Sequence, residues 1–212
     1  MAVDIPSYRV ILCGEYGVGK TALFVRFKDD KFMTDEDDVG HDHASKTFTV
    51  NGKRVMIQLW DTGGMERVGS ITQAYFRNAH GAILCYNPAN KESFNMLSEY
   101  ILQVAMFSRN AKVFLCGTMA DRRPMSMVGA GEEYVREEEI EEFERFCSTA
   151  LSGVFKVSSR TGEGVNRMFM KVAEGIHRDR NVDTIMQQMK QRDSIHLNSN
   201  GGPPPGKKSC CQ

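Results

Sequence analysis

The sequence predicts an α/β domain: a six-stranded, mostly parallel sheet with one antiparallel edge strand and about five flanking helices. Three observations carry this expectation. Short apolar runs alternate with stretches of helical periodicity, the order that βαβ units produce. Two β-rich segments, "SKTFTV" and "KRVMIQLW", flank Asn51-Gly52, the strongest short-range hairpin signal. The first apolar run ends on a glycine-rich loop that opens a helix.

Taken in order, residues 8–14, "YRVILCG", read as a buried strand because a short apolar run stops at glycine. Residues 20–30 follow as a helix, with Leu23, Phe24 and Phe27 at helical spacing. The hairpin comes next and supplies the antiparallel edge. Residues 81–87 and 112–118 are two further buried strands. Between them, residues 91–108 predict one helix with Phe94, Leu97, Ile101 and Val104 as its apolar stripe. Residues 137–150 predict a helix with a solvated acidic outer face and an inner side of Ile140, Phe143 and Phe146. Residues 153–159 make a last strand. Val165, Met168, Phe169, Val172 and Ile176 then mark a last amphipathic helix. Periodicity fades from about Asn181, and "NSNGGPPPGKKSCCQ" cannot pack a core. The expected organisation is an N-terminal segment over 1–7, one domain over 8–180, and a flexible tail over 181–212.

Composition narrows the function classes. The 27 basic residues balance the 27 acidic ones, so no global field draws in nucleic acid. No apolar run reaches membrane-span length, and "MAVDIPSYRV" lacks the order of a signal peptide, so a cytoplasmic protein is expected. Cys13, Cys85, Cys116 and Cys147 stand singly among apolar residues, as buried thiols in a reducing compartment do. Cys210 and Cys211 differ, being adjacent, near the terminus and preceded by Lys207 and Lys208.

"GEYGVGKT", Gly14 to Thr21, matches G-x-x-x-x-G-K-[ST] between a strand and a helix, which predicts a P-loop NTPase fold. The backbone of Glu15, Tyr16, Gly17, Val18, Gly19, Lys20, Thr21 and Ala22 would wrap a phosphate chain, helped by the helix N-terminus. Lys20 would reach the β- and γ-phosphates, and the Thr21 hydroxyl would bind Mg²⁺. These residues indicate a nucleoside triphosphate without choosing its base.

The remaining motifs resemble the small GTPases of the Ras superfamily, the Rab branch in particular. "LWDTGGMER" is similar to the Rab sequence W-D-T-A-G-Q-E-R, and "AYFRNAHGAILCYN" to Y-Y-R-G-A-H-G-x-x-x-x-Y-D. "CGTMAD" stands where N-K-x-D reads guanine, and "VSSR" where the family has S-A-K. The resemblance implies a switch that binds GTP or GDP. In that reading Asp61 holds Mg²⁺ through a water, and the Gly64 amide meets the γ-phosphate and orders the following loop. Asp121 accepts two hydrogen bonds from guanine that adenine cannot offer, which disfavours an ATP-using enzyme. Phe32 packs on the base, and the backbone of Ser158, Ser159 and Arg160 contacts its carbonyl. Exchange factors, a prenyl escort or GDI, and effectors are the implied protein partners.

The departures from the family fall on the nucleotide site. Met65 replaces the glutamine that orients the attacking water, so the catalytic set of Lys20, Gly64 and position 65 lacks a polar member. Tyr16 places a phenol where relatives have a small residue. The loop threonine that closes over Mg²⁺ falls at Asp38 counted from Gly40 and at Val39 counted from Thr21; the nearest threonine is Thr34. His41 and His43 in this acidic loop do not make a metal site by their spacing alone. Thr118 and Met119 replace the base-pocket Asn and Lys, with the expectation that the wider bridge to the P-loop is lost. Slow hydrolysis is expected, with a pseudo-GTPase binding module as the alternative. Cys210 and Cys211 resemble the paired cysteines that receive geranylgeranyl groups, and two lipid chains anchor stably where one does not. That implies reversible attachment to the cytosolic face of an endomembrane.

Overall fold

The computed structural model describes residues 5–33, 43–63, 73–122, 134–147 and 151–180. The chain divides into two units, Met1–His177 and Arg178–Gln212. In chain order the elements are β1 (Ser7–Cys13), α1 (Lys20–Asp29), β2 (His43–Val50), β3 (Lys53–Trp60), α2 (Gln73–Phe76), β4 (Gly81–Tyr86) and α3 (Lys91–Asn95). They continue with α4 (Leu97–Phe107), β5 (Lys112–Gly117), a 3-10 turn (Ala120–Arg122), α5 (Glu137–Phe146), β6 (Leu151–Lys156) and α6, residues 165–180.

The sheet runs β2-β3-β1-β4-β5-β6, and the β2–β3 hairpin is its antiparallel pair while the other four pairings are parallel. Asn51 (φ 50°) and Gly52 (φ 77°) are both left-handed, as a two-residue hairpin turn matching the strand twist requires. The central strands are buried on both faces, which is why they read as unbroken apolar runs. Side chains alternate between the faces. Val10, Leu12, Ile83, Cys85, Phe114 and Cys116 pack with α1 and α6, where Phe27 and Phe169 stand 4.5 Å apart. Ile11, Cys13, Ala82, Leu84, Tyr86 and Leu115 pack on the opposite face with Phe76, Leu97, Tyr100 and Ile140. At the foot of β1, Tyr8 hydrogen-bonds His177 Nδ1 at 2.8 Å. Burial, followed by the charge of Lys53, lowers the His177 pKa.

Cys13, Cys85, Cys116 and Cys147 are buried. Burial raises the Cys13 and Cys147 thiols, and a hydrogen bond with Cys85 is the first cause raising Cys116. Such thiols stay protonated and unreactive at neutral pH. No helix among the described residues is long and apolar enough to cross a membrane.

Two expectations need correction. The single helix over 91–108 is two helices, α3 and α4, meeting at Met96. Asn90 caps α3 by accepting from the Ser93 amide at 3.1 Å, and Phe94 is gripped between Tyr86 at 5.0 Å and Phe143 at 5.2 Å. The break keeps Phe94, Leu97 and Val104 on the core side, so the periodicity did not register it. The second correction concerns Phe146, which is 88% exposed rather than inward. Six residues beyond Ile140 it lies about 120° round the helix, whereas Cys147, seven beyond, returns inward and is buried. The acidic run on α5 is also less uniformly solvated than expected. Glu139 pairs with Lys91 at 2.5 Å and Glu137 with Lys156. The Lys91 hydrogen bond and then the Arg136 amide hold the Glu139 carboxyl below its usual range.

Candidate functional site

β1 brings the chain to the carboxyl edge of the sheet beside β4, the kind of crevice where open α/β sheets bind ligands. Gly14 turns the chain there at φ 141°, and a Cβ would collide with the Cys85 carbonyl, so only glycine lets the loop cross β4 so closely. The loop ends at Gly19, the N-cap of α1, which supplies no side-chain cap, and the first turn of α1 carries no acid. Its amides and positive dipole end therefore suit an anion. Lys20 is 3% exposed, and its Nζ donates to Gly14 O and Glu15 O, each at 2.8 Å. The ammonium thus closes the loop around itself and brings a positive charge to its interior.

Thr21 and Asp61 converge beside the loop. Gly63 donates its amide to Asp61 Oδ1 at 2.9 Å, and a Cβ on Gly63 would press on Thr21 Oγ and lie 2.9 Å from Asp61 Oδ2. Thr62 anchors this end of β3, its hydroxyl donating to Leu12 O at 2.7 Å. One hydroxyl and one carboxylate, both hard oxygen donors, suit a Mg²⁺ that takes its other ligands from phosphate and water. Among the described residues no group of three or more His, Cys, Asp or Glu could hold a metal. His43 instead stacks on Trp60 at 4.7 Å, and the Arg9 guanidinium lies 3.8 Å over the same ring.

Next to the loop a cleft is lined by Gly19, Ala22, Phe32, Thr118, Met119, Asp121, Arg122, Ser159 and Arg160. Asp121 Oδ1 accepts from the buried Ser158 hydroxyl at 2.6 Å, and Ser158 Oγ accepts from the Thr161 amide at 3.1 Å. That relay orients the carboxylate, and an ionised carboxylate has about four acceptor sites, enough for further donors. Met119 turns through a left-handed backbone at φ 52°. The buried Thr118 Oγ lies 2.6 Å from Val18 O and 2.9 Å from Tyr86 O, so the hydroxyl that threonine keeps at this position reaches back to the loop.

Of the sequence-derived candidates, Glu15 to Ala22, Phe32, Asp61, Thr118, Met119, Asp121 and Ser158 to Arg160 gather along this one edge. Tyr16 is 57% exposed. Gly64, Met65, Cys210, Cys211 and the loop at 34–42 lie outside the described residues. Sequence reasoning missed two supports. Tyr100 on α4 donates to Glu15 Oε1 at 2.9 Å, and Arg26 on α1 reaches the backbone of Ser159 and Arg160. For Arg26 a clue was present, an arginine flanked by apolar residues on a buried helix; for Tyr100 there was none.

Sheet order, glycine loop and a helix opening on Lys20-Thr21 define a P-loop protein with the GTPase fold. The Ras family model matches residues 9–178. Ras-related protein Rab-26 of Bos taurus is 31% identical over 209 residues, 97% of this chain and 75% of the relative. Ras-related protein Rab-37 of Homo sapiens is 34% identical over 176 residues, 80% of this chain and 74% of its own. Ras-related protein Rab-10 of Diplobatis ommata is 30% identical over 208 residues, covering 96% and 95%. The chain belongs to the Ras family and is a Rab-like small GTPase.

Proposed function

We propose that the protein is a guanine-nucleotide switch of vesicle traffic that binds GTP and GDP with Mg²⁺ and hydrolyses GTP slowly. The observation that carries this is the cleft joining Asp121, Phe32, Thr118 and Met119 to the Lys20–Thr21 end of α1. Asp121, steadied by Ser158, accepts from the guanine edge, and Phe32 and Met119 flank the ring. Lys20 and the loop amides hold the β- and γ-phosphates. Thr21 and Asp61 would hold Mg²⁺, which supplies charge stabilisation at the phosphate oxygens. Slow hydrolysis would follow from Met65, which cannot orient a water, and from Tyr16, whose exposed phenol would crowd the γ-phosphate side and block an incoming arginine. Losing one preorganised polar group of this kind costs on the order of 10²–10³ in rate.

Geranylgeranylated Cys210 and Cys211, with Lys207 and Lys208 beside them, would attach the protein reversibly to an endomembrane, where effectors, an exchange factor and a prenyl escort or GDI meet it. A Cys210→Ser/Cys211→Ser double variant should stay in the soluble fraction; equal membrane partitioning would refute the anchor.

The second reading, a pseudo-GTPase binding module, draws on the Thr118–Met119 replacement together with Met65. Identifying the nucleotide that co-purifies with the protein, with and without Mg²⁺, separates the two. GDP means that turnover occurs, GTP means a stalled switch, and no nucleotide favours the binding module. A single-turnover rate as fast, unaided, as that of an ordinary Rab would refute slow hydrolysis.

A further inference from the structure

One guanidinium holds two of the segments that form the base cleft. Arg26 lies on α1 between the buried Val25 and Phe27, and its side chain is 12% exposed. Its Nε donates to Ser159 O at 2.7 Å and its Nη2 to Arg160 O at 2.9 Å. Its Nη1 donates to Asp30 O and lies 3.7 Å from Asp30 Oδ1. Ser159 and Arg160 line the cleft, and Asp30 stands two residues before Phe32, which also lines it. Asp30 leaves α1 in a left-handed turn at φ 55°, so its carbonyl is presented back toward the helix end. The same helix begins with Lys20 and Thr21.

Two physical facts make this arrangement specific to arginine. Three carbonyls on two separate segments are served by N–H groups fixed in one plane, which a guanidinium offers and a tetrahedral ammonium does not. Each bond is charge-assisted; the one to Ser159 O is partly buried, while those to Arg160 O and Asp30 O face solvent.

We propose that Arg26 is a positioning residue for nucleotide retention. It clamps the Ser159–Arg160 backbone and the segment leading to Phe32 onto α1, holding the base half of the site in register with the phosphate half. In this way it sets the rate at which guanine nucleotide leaves. It acts through those backbone segments rather than by touching the nucleotide. The inference rests on the guanine-nucleotide reading above.

The test loads the full chain and its Arg26→Lys and Arg26→Gln variants with a fluorescent GDP analogue and follows release into excess GDP. Displacement of the analogue by inorganic tripolyphosphate is measured in parallel, since that ligand has phosphates and no base. Arg26→Gln should release the analogue at least about tenfold faster, the scale of one charge-assisted bond, and Arg26→Lys should recover only part of that. Tripolyphosphate affinity should stay within about twofold of the parent, because the P-loop does not need the clamp. If Arg26→Gln does not fold cooperatively, Arg26→Lys carries the comparison. Release at the parental rate overturns the inference, and so does an equal loss of tripolyphosphate binding, which marks general damage to the loop. A parent chain that takes up no guanine nucleotide defeats the underlying reading and this inference with it. Uptake by the parent with unaltered release in both variants defeats this inference alone.

Discussion

Replacing Thr118 with Val removes one hydroxyl and little volume, which isolates the tie between the cleft and the P-loop. The side chain is buried, with Oγ 2.6 Å from Val18 O and 2.9 Å from Tyr86 O. Tyr86 O also accepts from the Thr118 amide at 2.9 Å, so it keeps a partner in the variant. Val18 O instead meets a methyl group. Stranding a buried carbonyl in this way costs about 1–3 kcal/mol. At roughly 2–4 °C per kcal/mol for a domain of this size, Tm should fall by about 2–12 °C. If about 1.4 kcal/mol of the tie also supports the loaded loop, GDP leaves about tenfold faster. Thermal unfolding and nucleotide release, each read on Thr118→Val and Thr118→Ser, test this, and the serine variant should recover most of both. A valine variant with parental Tm and parental release would show that the hydroxyl carries no tension between cleft and loop, and the reasoning would be wrong.

Two further outcomes follow from the packing. Because burial lowers the folded-state pKa of His177 below its ordinary 6.5, the unfolded chain binds that proton first. The stability this contributes is present above about pH 6.5 and is lost as pH falls through the lower folded-state value. A His177→Gln variant, which still offers Tyr8 an acceptor, should show a flatter decline of urea stability between about pH 7 and 5; an unchanged slope would assign the decline elsewhere. On α5, Ile140→Ala should cost about 2–5 kcal/mol, whereas Phe146→Ser should stay within about 0.5 kcal/mol of the parent. Equal losses at the two positions would mean that the inward face of the helix has been misassigned.

The strands and the P-loop were legible because their determinants are local. Residues 8–14 are buried on both faces and need no polar alternation, Asn51-Gly52 carries its own turn, and Gly14 to Thr21 carries its own spacing. The corrections arise where local periodicity is silent. A turn residue at Met96 leaves the apolar stripe in phase, so two helices look like one. Phe146 matches the residue type of its neighbours but not their angle, and only the packing of Ile140 into the core and the burial of Cys147 reveal which side is inward.

Sequence by itself determined the fold class, the glycine loop that opens α1 and the family, because each is encoded in contiguous residues with fixed spacing. Only the tertiary structure decided how the cleft beside the glycine loop is held. Thr118 reaches Val18 across 100 positions, Ser158 reaches Asp121 across 37, and Arg26 reaches Ser159 across 133. Contacts at such separation exist once the sheet has set its strands side by side, and no local pattern in the chain encodes a carbonyl that a distant hydroxyl or guanidinium will meet.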